Sequence, residues 1–118
     1  IIGNSGPYLQ YAHARACSIL RKSHESSAVL NNLEEGARTL LRKLSQYVAV
    51  ADQAVEELAP HAICTYLYEL AQTFNSFYEH NRVIDDPRQD VRLGLVRLYQ
   101  QNLAKGLSIL GINAPEQM

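Results

Sequence analysis

The chain has 118 residues, of which 47% are hydrophobic and 19% are charged, and its 11 basic and 12 acidic side chains give a net charge of -1 at pH 7. This length suits one compact domain with a single core. The near-neutral charge argues against an indiscriminate nucleic-acid binder, because such proteins carry a basic excess. Any contact with a nucleic acid must therefore be local.

The sequence contains no run of 18 apolar residues and no basic segment followed by an apolar one. It therefore predicts neither a membrane span nor a secretory signal, and we expect a soluble, cytoplasmic protein. The first residue is Ile1 rather than Met, which favours a segment of a longer polypeptide. Cys17 and Cys64 allow at most one disulfide, and we expect both to be free thiols.

Apolar residues recur at helical spacing, and this pattern predicts an all-α fold: a single domain over residues 1–118, built as a bundle of about five helices with an extended C-terminal tail. The first helix is expected over residues 7–24, because Pro7 suits a first helical position. Its core-facing residues are expected to be Leu9, Ala12, Ala16, Ile19 and Leu20.

The next two predicted helices follow each other closely. A polar linker at residues 26–32 leads to a second helix over residues 33–44, and a third is expected over residues 48–58. Ala51, Val55 and Leu58 would form the apolar face of the third helix. Because no Gly or Pro separates the two, the third helix could continue the second, and we expect a kink near Tyr47.

Two long helices complete the prediction. The fourth begins at Pro60 and has the most regular apolar stripe, so we expect it to be central. Asp86, Pro87 and Gln89 resemble a capping box and predict a fifth helix with Pro87 at its first position, while Gly111 ends it and residues 112–118 form an extended strap. The core residues of these helices are expected to be Ile63, Leu67, Leu70, Phe74 and Phe77, then Val96, Tyr99, Leu103, Leu107 and Leu110.

A second stripe on the first helix combines two aromatic rings with two cations: Tyr8, Tyr11, Arg15 and Lys22. Rings stack on unpaired bases and cations pair with phosphates, so this combination suits RNA. The same spacing also arises when tyrosines flank a core with hydrated hydroxyls beside a solvated arginine. Spacing alone favours the second interpretation.

The end of the fourth helix places Asn75, Tyr78 and Arg82 near one another. A ring, an amide and a guanidinium at a helix end can stack an unpaired base and read its edge. Alternatively, Tyr78 closes the core and Arg82 interacts with the negative end of the helix dipole.

Metal binding and catalysis have little support in the sequence. His13 with Cys17, and His61 with Cys64, form two helical pairs of zinc-ligand types, but structural zinc sites usually use Cys-x-x-Cys pairs on turns. Glycine-rich phosphate loops and Gly-x-Ser-x-Gly elbows are absent from the sequence. We therefore expect no catalytic residue, no metal and no cofactor in this chain.

Several segments, in order, resemble the C-terminal DALR-type anticodon-binding domain of arginyl-tRNA synthetases. They are residues 3–15 (GNSGPYLQYAHAR), 58–61 (LAPH), 66–71 (YLYELA), 74–78 (FNSFY) and 110–118 (LGINAPEQM). The resemblance covers essentially the whole chain.

The resemblance implies a helical domain that binds the anticodon stem-loop of arginine tRNA. The parent enzyme would activate arginine with ATP and magnesium in a separate catalytic domain of the same polypeptide. It further implies arginine tRNA and that catalytic domain as partners, with no membrane partner and a monomeric state. The alternative is a non-catalytic helical module that binds another protein's helix, and a zinc-stabilised bundle is a third possibility.

The resemblance also implies an RNA-facing surface. Anticodon bases would pack on Tyr78 or on Met118, while Arg15 and Arg82 neutralise the backbone. Gln117 stands where the family usually has Arg, and the junction of the second and third helices lacks a Pro often seen in relatives. The implied RNA-binding residues are Tyr8, Tyr11, Arg15, Asn75, Tyr78, Arg82 and Met118.

Overall fold

A computed structural model describes residues 2–23 and 33–118. These residues form helices and no strands, which confirms the predicted all-α bundle. The predicted linker at residues 26–32 lies outside the described residues, and the first helix ends at Arg21, short of the end predicted at His24. The helices are α1 Ile2–Arg21, α2 Glu35–Ser45, α3 Tyr47–Glu56, α4 Pro60–His80 and α5 Gln89–Ile109.

Helix α4 is central, as predicted, because it packs against each of the other four helices. All five residues of its predicted stripe are buried. The approach of α5 to α4 is very close at Gly106, where an added Cβ would lie only 2.6 Å from a methyl carbon of Leu67. Glycine therefore allows α5 to rest directly on the core stripe of α4.

The start predicted for the first helix is wrong, since α1 begins at Ile2 and Pro7 lies inside it. Proline removes one backbone donor from a helix interior, which disfavours this arrangement locally. Gly6 is nevertheless buried, and an added Cβ there would lie 3.7 Å from Ile112 of the tail. The contact between Gly6 and the tail thus compensates for the unfavourable position of Pro7 inside the helix.

The kink expected near Tyr47 corresponds to Gln46, which alone separates α2 from α3, so the two are consecutive helices and not one continuous helix. The apolar face predicted for α3 is wrong: the side chains of Val55 and Leu58 are 62% and 87% exposed. Leu58 follows the end of the helix and has a left-handed φ of 51°. The helix instead turns a neighbouring face to the core, formed by Tyr47, Val50, Ala51 and Ala54.

Helix α5 begins at Gln89 rather than at Pro87. Asp86 Oδ1 accepts a hydrogen bond from the backbone N–H of Arg88 at 2.9 Å, and Gln89 Oε1 accepts one from the N–H of Asp85 at 2.7 Å. The residues of the predicted capping box are thus engaged in a turn that precedes the helix.

The end of α5 agrees with the prediction. Gly111 has a φ of 72°, and its N–H donates to Ser108 O while the N–H of Ile112 donates to Leu107 O. These two bonds are the pair that ends a helix in a Schellman motif. Residues 112–118 then run without helical structure along α1, as the predicted strap.

A buried arginine joins α2 to the segment before α5. Arg92 is 9% exposed, its Nη1 donates to Arg82 O at 2.6 Å, and the guanidinium lies 3.4 Å from Glu34 and 3.2 Å from Asp86. A buried charge needs such partners, because leaving it unpaired is costly.

In the two described ranges, no helix is long and apolar enough to cross a membrane.

Candidate nucleic-acid interface

The aromatic and cationic stripe of α1 faces the C-terminal half of α4, and the Asn75 amide joins the two helices. Asn75 Nδ2 donates a hydrogen bond to the Tyr8 hydroxyl at 3.2 Å. Arg15 Nη1 donates to Asn75 Oδ1 at 3.4 Å. Both ends of the amide are therefore engaged, and Asn75 holds a tyrosine and an arginine in fixed relation.

A series of stacked groups runs from the core to this surface. The ring of Tyr99 lies 4.0 Å from that of Phe74 at an interplanar angle of 9°, and Phe74 lies 5.7 Å from Tyr78 at 17°. The guanidinium carbon of Arg15 is 4.8 Å from the Tyr78 ring centroid, within cation–π range. The buried part of the series thus fixes the position of Tyr78 and Arg15.

Beside this series is a small cavity between α1 and α4, which we call the inner cavity. Its volume is about 200 Å³. Tyr99 contributes to its wall, and the Tyr99 hydroxyl is buried without a hydrogen-bond partner among the described residues. Burial raises the pKa of this hydroxyl, so it stays protonated. The lining residues are Tyr8, Tyr11, Ala12, Arg15, Phe74, Asn75 and Tyr99.

A larger groove lies between α1 and the end of the tail, and we call it the outer groove. Its volume is about 420 Å³. Tyr11 and Met118 are each 61% exposed here, while Arg15 and Arg21 supply positive charge. The groove therefore combines a ring, a flexible thioether and two guanidinium groups. Its lining residues are Tyr11, Ala14, Arg15, Ser18, Arg21, Gln117 and Met118.

Three side chains of α1 bind the backbone of the tail and thereby place Met118 in this groove. Gln10 Nε2 donates to Asn113 O at 3.1 Å, and Arg21 Nη1 donates to Glu116 O at 3.0 Å. Between them, the buried His13 bonds to Pro115 O through Nδ1 at 2.7 Å. The tail is thus held at three successive points along α1.

The structure brings together six of the seven residues that the resemblance implies. Arg82 lies apart from them, in the segment between α4 and α5: its Nε donates to Ile84 O at 2.8 Å, and its Nη2 is 4.0 Å from Asp85. The six that meet around α1, α4 and the tail are Tyr8, Tyr11, Arg15, Asn75, Tyr78 and Met118.

Tyr99 is a core residue, as predicted, but it also lines the inner cavity, and its hydroxyl has no partner among the described residues. Arg21 lines the outer groove and is not among the predicted site residues. Arg21 lies off the stripe of Tyr11 and Arg15, and only the long-range contact with the tail brings it to the groove. Lys22, which the stripe included, is exposed just beyond the end of α1.

The four residues of zinc-ligand type do not form a cluster: they are His13, Cys17, His61 and Cys64. His13 and Cys17 are neighbours, with Sγ 3.8 Å from Nδ1, but both ring nitrogens of His13 have other partners as well. His61 is exposed while Cys64 is buried, and both cysteines are free thiols as expected. Within the described ranges, no three His, Cys, Asp or Glu side chains come together in a way that holds a metal ion.

Comparison with known families and structures gives a consistent result. A family model described as "DALR anticodon binding domain" matches residues 9–118. The structure of Thermus thermophilus arginyl-tRNA synthetase superposes with a TM-score of 0.89 at 40% identity, over 96% of this chain and 21% of that one. A putative arginyl-tRNA synthetase from Campylobacter jejuni superposes with a TM-score of 0.89 at 29% identity, over 100% of this chain and 27% of that one.

Curated relatives of this chain are named arginine–tRNA ligase. The arginine–tRNA ligase of Thermobifida fusca is 45% identical over 123 residues, which cover 98% of this chain and 21% of the relative. That of Methanoregula boonei is 42% identical over 116 residues, which cover 97% and 21%. The chain therefore spans about one fifth of the length of these relatives.

Proposed function

The chain belongs to the DALR anticodon-binding domain family and is homologous to the C-terminal domain of arginyl-tRNA synthetases, and we propose that it binds the anticodon stem-loop of arginine tRNA. The observation that carries this proposal is the position of Arg15, which donates to Asn75 beside Tyr8, lies over the Tyr78 ring and lines the outer groove with Met118. These are the groups that bind unstacked RNA: rings and a thioether for the bases, and guanidinium groups for the backbone.

The two concave regions suit different parts of a nucleotide. In the outer groove, Tyr11 and Met118 offer apolar faces to a base, while Arg15 and Arg21 are placed to neutralise phosphates. The inner cavity is lined by three tyrosines, the Arg15 guanidinium and the Asn75 amide, which bonds to Tyr8 and Arg15. In this proposal Asn75 positions Tyr8 and Arg15.

The remaining expectations form part of the same proposal. A longer polypeptide would supply the domain that activates arginine with ATP and magnesium, and the present domain would orient the tRNA toward that catalytic domain. The protein would act in the cytoplasm as a monomer, and the present domain would have no cofactor of its own. The relatives of which this chain covers 21% are named for that activity.

Filter binding of the purified chain to arginine tRNA and to anticodon variants tests the proposal. We expect weak binding that falls as salt rises, because phosphate contacts release counterions. Tyr78→Ala should reduce discrimination between anticodons more than Lys105→Ala, which changes an exposed residue of α5. Equal losses in the two variants would contradict the assigned surface.

The same titration distinguishes the protein-binding alternative. A groove for another protein's helix would show no preference among tRNA species and little dependence on salt. Binding of arginine tRNA that is salt-dependent and anticodon-dependent would exclude that alternative as the function of this surface.

A further inference from the structure

We infer that His13 is a positioning residue for RNA recognition: it is the buried anchor that holds the tail so that Met118 lies in the outer groove. This inference rests on the proposed function. His13 lies outside the proposed RNA-binding surface, but it would hold Met118 in place as part of that surface. His13 is 2% exposed and therefore cannot contact RNA directly in this structure.

The contacts of His13 define its tautomer. Gln100 Nε2 lies 2.9 Å from His13 Nε2, and because an amide nitrogen is only a donor, the ring nitrogen accepts. The ring proton is then on Nδ1, which donates to Pro115 O at 2.7 Å. The His13 ring thus bridges α5 and the tail through both of its nitrogens.

The other two anchors of the tail are weaker than this one. The bonds from Gln10 to Asn113 O and from Arg21 to Glu116 O are both exposed, so water competes with them. The bond from His13 is shielded by burial of the ring. His13 therefore determines where Pro115 lies, three residues before Met118.

Ile112 and Ala114 of the tail pack against the core, whereas the end of the tail adds little to it. Pro115 is half-buried, and the three residues that follow it are exposed. The buried core is formed by the five helices together with Val83. Releasing the end of the tail from Pro115 onward should consequently leave the bundle folded while Met118 moves out of the outer groove.

A double-mutant cycle on binding of an arginine anticodon stem-loop tests the inference. We expect His13→Ala and Met118→Ala each to weaken binding about fivefold, and the double variant to bind about as weakly as either single one, because both changes remove the same contact. As a matched control, combining His13→Ala with Lys105→Ala should multiply the separate effects. Gln10→Ala, which removes an exposed anchor, should have a smaller effect than His13→Ala.

A second measurement needs no RNA. Met118 is the sole methionine of the chain, so a ¹³C-methyl label on methionine gives one NMR signal that reports the end of the tail. His13→Ala should narrow this signal and move it toward its position in an unfolded peptide, while the melting temperature changes by only a few degrees. Should His13→Ala fail to fold, Gln100→Ala provides the test, with a smaller shift in the same direction.

The possible failures are distinguishable. An unchanged Met118 signal in folded His13→Ala, unchanged affinity for the stem-loop, or multiplying effects of His13→Ala and Met118→Ala would each overturn the inference. If the unaltered chain bound no stem-loop while the methyl signal moved as expected, the proposed function would fail and the anchoring contact would stand.

Discussion

The guanidinium carbon of Arg15 lies 4.8 Å from the centroid of the Tyr78 ring, although 63 residues separate them in the chain. Arg15 also donates to Asn75, so the same cation contacts two residues of α4 that are one helical turn apart. This contact links α1 to α4 at the surface, just above the stacked rings of Phe74 and Tyr99. An arginine in this place is suited to interact with both a ring and a phosphate.

The Arg15 contact predicts different results for two substitutions. Arg15→Lys retains the charge but not the planar fork, so RNA affinity should fall while the salt dependence is largely retained. Arg15→Ala should weaken binding further and reduce the slope of log K against log salt by about one unit. Filter binding at several salt concentrations measures both quantities. Identical slopes for the two variants would contradict a phosphate contact by Arg15.

Tyr99→Phe should stabilise the fold by about 1 kcal/mol, because it removes a buried hydroxyl that has no partner among the described residues. Tyr66→Phe is the matched control, since the Tyr66 hydroxyl donates to Lys43 O and its loss should destabilise the fold by about 1 kcal/mol. Urea denaturation followed by circular dichroism measures both changes. A destabilised Tyr99→Phe variant would show that the hydroxyl has a partner in solution.

Arg92→Ala should lower the free energy of unfolding by about 2 kcal/mol, because it removes the donors to Arg82 O and Asn81 Oδ1 and the cation beside Asp86, while Glu34 keeps Arg88 at 2.6 Å. Lys105→Ala, an exposed change on the same helix, should alter stability by less than about 0.5 kcal/mol. Comparison of the two variants by urea denaturation measures how much Arg92 contributes to the free energy of unfolding. Similar stabilities would mean that water satisfies the acidic partners.

Stability should fall between about pH 10 and pH 12. Burial raises the pKa of Tyr66 from its ordinary value of 10.0 to about 12. Above pH 10 the unfolded chain releases this proton while the folded chain retains it, so unfolding becomes easier by up to about 1.4 kcal/mol per pH unit, until the folded form also ionises near pH 12. Tyr66→Phe should therefore show a shallower alkaline loss in urea titrations. An unchanged alkaline slope would contradict this assignment.

The sequence predicts the fold well where apolar spacing alone decides the outcome. The stripes of α1 and α4 are regular over several turns, so they determine which face is buried. The prediction fails for α3, which is short and has apolar residues on more than one side: Ala51 lies on both possible faces, and packing of Tyr47 against Tyr66 selects the observed one. Helix starts also depend on packing, as the burial of Gly6 shows.

The candidate site is predictable only in part, for a physical reason. Tyr8, Tyr11 and Arg15 share one helix, so spacing predicts their common face. Arg82 was placed one turn after Tyr78, but α4 ends at His80 and Asn81 is extended, so helical spacing no longer applies there. Arg21 and His13 depend on the tail, about 95 residues or more along the chain, and spacing contains no information about such contacts.

The absence of a side chain at Gly106 determines how closely α5 approaches α4. Because α5 rests on Leu67 there, this contact also affects where Tyr99 and Gln100, about two turns earlier in α5, lie relative to α1. A larger residue at Gly106 would push α5 away from α4 and would shift the wall of the inner cavity together with the Gln100 partner of His13. The geometry of the candidate surface thus depends on a buried contact that lies outside it.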